Sequence, residues 1–396
     1  MNKQLLLSIL LCLSVGCLDN VQTKLAENMV ADVKSEFVPD SRTGIFNIEV
    51  TQQGESLLLK GETNYPAAKE LLLLKTKELN SAVIDSIRLL PADLGGKHYG
   101  VVRLSVANMR SAPKHSAELS TQTLLGSPLR VYKKKGDWYY VQTPDDYLGW
   151  LDKDGFTLMA DTTYAAWMQA EKVIVTAESA KVYTAAIQDD RTVSELLPGN
   201  ILQKTGTIGK FTQTRFPDGR TGYVLTANLA DLPTWAANTV ADTTGIFRTA
   251  RRMTGSPYLW GGTSVKGTDC SGYTKQIFFE NGILLPRDAS QQVKVGELVE
   301  KDTTLSNLLP GDLLFFGRAA TDKKKEAVRH VAIYLGDGKM IHSAGNVKIE
   351  SLRRGDPDFA EDRFDTYLRA KRILGSEGKN GVIRVKDSPY YQREKE

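Results

Sequence analysis

One pattern closes two separate stretches of this chain: Tyr147-Leu148-Gly149-Trp150-Leu151 and Arg220-Thr221-Gly222-Tyr223-Val224-Leu225. In each, an aromatic strand comes first, an Asp-containing turn follows, and a Gly-aromatic-aliphatic run ends the unit. A weaker echo links Ser116-Ala117-Glu118-Leu119 and the Leu124-Leu125-Gly126 behind it to Ser194-Glu195-Leu196-Leu197-Pro198-Gly199. Such self-similarity over about sixty residues predicts two copies of one small module, over 101–160 and 173–233. Within the first copy, Leu104 to Val106, Leu129 to Tyr132, Trp138 to Gln142 and Leu148 to Leu151 are short β-like runs broken by Gly, Pro and Asp. That texture predicts a small β-barrel.

The two modules leave most of the 396 residues to be assigned, more than one further core usually serves. Residues 36–99 read as a small α/β unit. Ile45, Ile48, Val50 and Leu57 to Leu59 are β-like, Leu71, Leu74 and Leu79 fall near helical spacing, and Val83 to Leu90 reads as a strand. The polar residues 18–35 before it predict a tether or loose helix. A last domain over 245–375 makes the whole a multidomain α+β chain.

The first residues predict export. Lys3 precedes an apolar run from Leu5 to Leu13, too short to span a bilayer, and Ser14-Val15-Gly16-Cys17 supplies small residues for a cut. Residues 1–17 resemble a bacterial lipoprotein signal, which implies a lipid on Cys17, a membrane held through that anchor, and a place in the cell envelope. Ser14 departs from the aliphatic residue usual three before the cysteine, and a plain signal peptide with an incidental Cys17 is the alternative. A formal charge of +4, with basic runs only at Lys133-Lys134-Lys135 and Lys323-Lys324-Lys325 beside turn formers, gives no nucleic-acid partner. A monomer is expected.

Cysteine usage narrows the chemistry. Cys12 lies inside the signal and Cys17 at its end, so Cys270 is the one thiol left, with nothing to pair with. Thr268-Asp269-Cys270-Ser271-Gly272 opens a helix predicted to run to about Asn281-Gly282, with Tyr273, Ile277 and Phe278 on its inner face. The unpaired N–H groups and positive dipole end at a helix start favour thiolate, so a lowered thiol pKa is expected. A base is offered by His330-Val331-Ala332-Ile333-Tyr334-Leu335, whose alternation marks a strand, followed by Asp337-Gly338 and a returning strand carrying His342. A two-residue loop would turn His342 away from His330. A three-residue loop, 336–338, pairs His342 with Ala332 and puts both histidines on one face with Ala332, Tyr334 and Met340. We expect the three-residue loop, with His330 as base and His342 orienting it. Asp145-Asp146 and Asp189-Asp190 have no His or Cys beside them, so no metal or other cofactor is expected.

These residues resemble the NlpC/P60 family of cysteine peptidases, whose catalytic fold is papain-like. The resemblance spans about Thr249 to Ile373 and rests on Pro257-Tyr258-Leu259-Trp260-Gly261-Gly262, Asp269-Cys270-Ser271-Gly272, Pro286-Arg287-Asp288, Pro310-Gly311-Asp312-Leu313 and His330 to Leu335. The two small modules resemble bacterial SH3-like domains, through Asn108-Met109-Arg110-Ser111-Ala112-Pro113 and the Gly149-Trp150-Leu151 close. Their order before the peptidase is similar to that of γ-D-glutamyl-L-diamino acid endopeptidases. It implies cleavage between D-Glu and meso-diaminopimelate or L-Lys in peptidoglycan-derived peptides with a free N-terminal L-Ala. The resemblance gives Cys270, His330 and His342 the chemistry and Tyr258 with the Cys270 N–H the oxyanion. It gives Asp269 the ammonium group, and Glu118, Tyr147, Trp260, Ser271 and Asp288 the rest of the pocket. Alternatives are a D,L-endopeptidase or N-acetylmuramoyl-L-alanine amidase on intact wall, which an open cleft would suit, or a non-catalytic wall-binding lipoprotein.

Overall fold

Residues 21–392, apart from Asn80 and Thr303, are described by a computed structural model. The signal segment and Cys17 lie outside the described residues. The described residues form two compact units, one of residues 21–95 with 131–134 and one of the remaining described residues. No described helix is long and apolar enough to cross a membrane.

In the first unit, strands Phe46–Gln53 and Ser56–Thr63 pair antiparallel, and Ala82–Leu89 joins the second of them in parallel. A parallel neighbour requires a crossover. It is made by the helix Pro66–Thr76, which opens on proline, where a missing N–H costs nothing. Phe46, Leu59, Ala68, Leu72 and Ile87 form the core with Val33 and Val38. Residues 21–37 form a regular helix with Ala26 and Val33 fully buried, so of the two forms expected there the helix is found, packed rather than loose.

Two seven-stranded sheets follow along the chain. One runs from Tyr99–Val102 to Phe156–Met159 and the other from Lys172–Val175 to Leu229–Asp231. Numbered within its own copy, each sheet has the strand order seventh, first, fourth, fifth, sixth, second, third. The internal repeat therefore extends from sequence to topology. Leu104 is a half-exposed loop residue and its strand starts at Val106, while Leu119–Leu124 and Phe156–Met159 add strands that the apolar pattern does not mark.

The last domain is built from helix α1 (Thr243–Arg252), helix α2 (Cys270–Glu280) and a six-stranded antiparallel sheet. Its strands are β1 (Glu297–Val299), β2 (Leu313–Arg318), β3 (Ala327–Gly336), β4 (Lys339–Ala344), β5 (Asn346–Ser351) and β6 (Tyr367–Arg372), in the order β1-β6-β2-β3-β4-β5. Alternation along β2 to β4 splits their side chains between two cores. Leu313, Phe315, Val331, Ile333 and Ile341 face α2 and meet its Tyr273, Ile277 and Phe278. Leu314, Phe316, Ala332, Tyr334 and Met340 form the other core with Val299, Leu308 and Tyr367. The strand face expected to line the site is thus packed shut over Ala332, Tyr334 and Met340 by segments that return across it.

The β3–β4 hairpin has the register that brings the histidines together, by a different device from the one expected. Ile333 pairs with Ile341 and Tyr334 with Met340, which carries His342 opposite Ala332. The turn itself has two residues, Asp337 and Gly338, both at positive φ (51° and 74°), the geometry of a tight I′ hairpin. A one-residue irregularity between Tyr334 and Gly336 supplies the odd count.

Candidate active site

Cys270 is the first residue of α2. Asp269 caps that helix, its side chain accepting from Gly272 N–H at 2.7 Å. The helix stops at Asn281, before Gly282 at φ 82°. Cys270 is 7 % exposed, too little for the thiol to be well solvated. Burial, reinforced by the Asp269 charge, pushes it up to about 11, against the pull of the Val331 and Ser271 N–H groups and of Arg287. The lowered value expected from the helix start is overturned, because desolvation at a nearly closed site outweighs the donors. The resting site holds its proton on sulfur. Iodoacetamide alkylation of Cys270 is therefore expected to keep rising by about tenfold per pH unit up to pH 9. A plateau below pH 7 would instead reveal a preformed thiolate.

The Val331 N–H that faces the sulfur belongs to the residue after His330. His330 Nε2 lies 2.7 Å from His342 Nδ1, and His342 Nε2 lies 2.8 Å from Glu350 Oε2 on β5. Both rings are buried. Burial holds His330 well below its ordinary range, with Arg363, His342 and Lys348 acting in the same direction. His342 is also lowered by burial, although Glu350 opposes it. The two rings are thus neutral near pH 7, and His342 meets Glu350 as a neutral donor. Glu350 was not marked by the sequence reading.

Tyr258 is positioned by its N–H bond to the Gly345 carbonyl (3.0 Å) and a bridge to Thr268. Burial, then the Cys270 and Asp269 charges, raises its hydroxyl to about 12, so it stays protonated and able to donate.

Around Cys270 the described pocket residues form one network. Asp269 Oδ1 accepts from Gly272 N–H, the Ser271 hydroxyl (3.2 Å) and Arg287 Nη1 (3.1 Å). Its Oδ2 accepts from Gly261 N–H (3.0 Å) and Arg287 Nη2 (2.6 Å). Both Asp269 oxygens thus already accept within the protein, so a substrate ammonium at Asp269 would share them with Arg287. Ser271 is buried and also accepts from Arg287 Nη1 at 3.0 Å. Glu118 is exposed and accepts from Trp260 Nε1 at 2.6 Å, and Asp288, half-buried, accepts from the Tyr147 hydroxyl at 3.1 Å and closes a capping box with Gln291. Trp260 itself is 63 % exposed.

Glu118 and Tyr147 immediately precede the strands Leu119–Leu124 and Leu148–Asp152 of the first seven-stranded sheet, so that module is seated against the thiol-bearing domain. Gln122 of the same sheet bonds Thr263 N–H (3.0 Å) and the Thr263 hydroxyl (2.9 Å). Gly261, at φ 79°, has room for no side chain, because a Cβ there would lie 2.1 Å from the Leu119 carbonyl oxygen.

Comparison with known proteins agrees with this layout. The NlpC/P60 family profile matches residues 255–360, and that of the bacterial dipeptidyl-peptidase SH3 domain matches 109–156. A γ-D-glutamyl-L-lysine dipeptidyl-peptidase of Bacillus cereus is 32 % identical over 273 residues, 65 % of this chain and 76 % of that one. Dipeptidyl-peptidase 6 of Lysinibacillus sphaericus is 28 % identical over 67 % of this chain and 96 % of its own. The crystal structure of an NlpC/P60 family protein from Bacillus cereus superposes with a TM-score of 0.58 at 26 % identity, covering 70 % of this chain and 99 % of that one.

Proposed function

This chain belongs to the NlpC/P60 family of cysteine peptidases, and on that premise we propose that it hydrolyses the γ-D-glutamyl–L-diamino acid bond of peptidoglycan-derived peptides carrying a free N-terminal L-Ala. The observation that carries this reading is the seating of the first module against the thiol-bearing domain beside Cys270, through Glu118 on Trp260 and Tyr147 on Asp288. An open groove for polymeric wall would have no such end. Of the three pocket carboxylates, Asp269 and Asp288 lie against one guanidinium, Arg287, at 2.6 and 3.8 Å, while Glu118 accepts from Trp260. The net negative charge suits an ammonium group, with Glu118 and Asp288 its direct partners.

In this reading His330 takes the Cys270 proton as sulfur attacks the γ-carbonyl of D-Glu. The Tyr258 hydroxyl and Cys270 N–H donate to the oxyanion, and neither has to ionise to do so. Collapse expels the diamino acid as its amine, to which His330 returns the proton, and leaves a thioester. Water then attacks the thioester, His330 accepting its proton and handing it to the departing sulfur.

We read the second seven-stranded sheet as a second SH3-like module and the 36–99 unit as a separate small domain. The N-terminal signal pattern supports export and anchoring through Cys17, with the enzyme acting as a monomer.

Mass spectrometry of L-Ala-γ-D-Glu-diaminopimelate digests, beside the N-acetylated peptide and intact peptidoglycan, tests the specificity. Release of L-Ala-D-Glu is expected, with the acetylated peptide cut about 100-fold more slowly, because a site built around a charged group rejects its neutral analogue. Glu118→Gln is expected to raise KM for the free tripeptide about tenfold. Equal rates on free and acetylated peptides, or shortened stems on intact wall, would sink the free-amine reading.

A further inference from the structure

Beyond the cysteine and the two histidines, we infer that Glu350 fixes the tautomers of His342 and His330 and so is a positioning residue that leaves the His330 lone pair facing the nucleophile. The inference rests on the cysteine-peptidase reading above. It follows from the ring-nitrogen distances and from what each group can donate. An ionised carboxylate only accepts, so Glu350 Oε2, 2.8 Å from His342 Nε2, requires the His342 proton on Nε2. His342 Nδ1 must then be the acceptor in the 2.7 Å contact, which requires the His330 proton on its own Nε2. One lone pair remains in the pair, on His330 Nδ1. During the reaction the single proton from Cys270 goes to that nitrogen, while Glu350 stays ionised and stabilises the cation formed.

The carboxylate is held ionised for this task. The His342 bond, followed by Lys348, keeps it down to about 2 despite partial burial. Its oxygens are divided, Oε1 to Lys348 Nζ at 2.5 Å and Oε2 to His342. A surface ion pair with Lys348 would explain the first contact alone. The register of β4 with β5 makes the second: His342 lies opposite Lys348, Met340 opposite Glu350, and Glu350 reaches the ring diagonally. The charged groups facing the pair are therefore Glu350, Lys348 and Arg363, the first favouring imidazolium and the other two opposing it.

The signs differ, which gives a readout that a structural role lacks. The test is the pH profile of kcat/KM on L-Ala-γ-D-Glu-diaminopimelate, with iodoacetamide alkylation of Cys270 alongside, for the full chain and the variants Glu350→Gln, Glu350→Ala and Lys348→Met. Glu350→Ala is expected to lower kcat about 30-fold, with KM unchanged within about twofold. The acid limb should move down by about half a pH unit in Glu350→Gln and up by a similar amount in Lys348→Met. Glu350→Gln keeps size and hydrogen bonding, so the test survives if the alanine variant folds poorly. Activity within twofold of the parent, or a fall in activity with both limbs in place, overturns the inference alone. A parent with no hydrolysis and an unreactive Cys270 overturns the peptidase reading together with it.

Discussion

Replacing Cys270 with alanine is expected to lower hydrolysis of the tripeptide by at least about 10⁴-fold while the protein stays folded. The two effects separate because the sulfur is a small part of the packing. Cys270 sits at the edge of the cluster formed by Tyr273, Ile277, Phe278, Val331 and Ile333, and the loss of one buried atom there costs about 1 kcal/mol. That corresponds to a melting shift of about 2–4 °C in a domain of this size. The helix does not depend on the thiol, since its cap is Asp269 and its inner face is aromatic and aliphatic. Rate and melting temperature measured on one preparation check the claim. Residual hydrolysis above about one per cent of the parent rate would mean that another group supplies the nucleophile.

How much of this site could be read in advance depended on how local its cause was. The start and stop of α2 follow from Asp269 and Gly282 and needed no tertiary information. The register of His330 and His342 followed from a count of residues around Asp337-Gly338, although where the odd residue sits, next to Leu335, was decided by the fold. Glu350 was missed although a signal existed: Gly345 makes a tight turn, and Val347-Lys348-Ile349-Glu350 alternates behind it, so the same counting would have brought Glu350 beside His342. The thiol pKa was misjudged for another reason. A helix start acts through nearby N–H groups and is legible in sequence, whereas burial depends on the sheet and loops that close over the sulfur. Asp269 shows the same limit. A carboxylate before a catalytic cysteine can bind substrate or cap a helix, and its pairing with Arg287, eighteen residues away, is not legible locally.

Arg287 should also be the most damaging single position to neutralise. It is 1 % exposed and belongs to no regular core, yet its guanidinium reaches Asp269 at 2.6 and 3.1 Å, the Ser271 hydroxyl at 3.0 Å and the Thr121 hydroxyl of the first sheet at 2.9 Å. Asp288 Oδ1 is 3.8 Å away. Removing one partner of a buried pair strands the other charge, which costs about 3–5 kcal/mol. Arg287→Met is therefore expected to lose that much in urea unfolding, with the seating of the first sheet lost as well. Arg287→Lys should be nearly as damaging, because one ammonium cannot replace a planar fork that serves Asp269 and the two hydroxyls. Asp269→Asn in the Arg287→Met background should recover part of the loss, since the stranded charge is gone while an oxygen remains to cap α2. A single variant within about 1 kcal/mol of the parent, or a double variant no better than the single, would show that water reaches Asp269 and replaces the arginine.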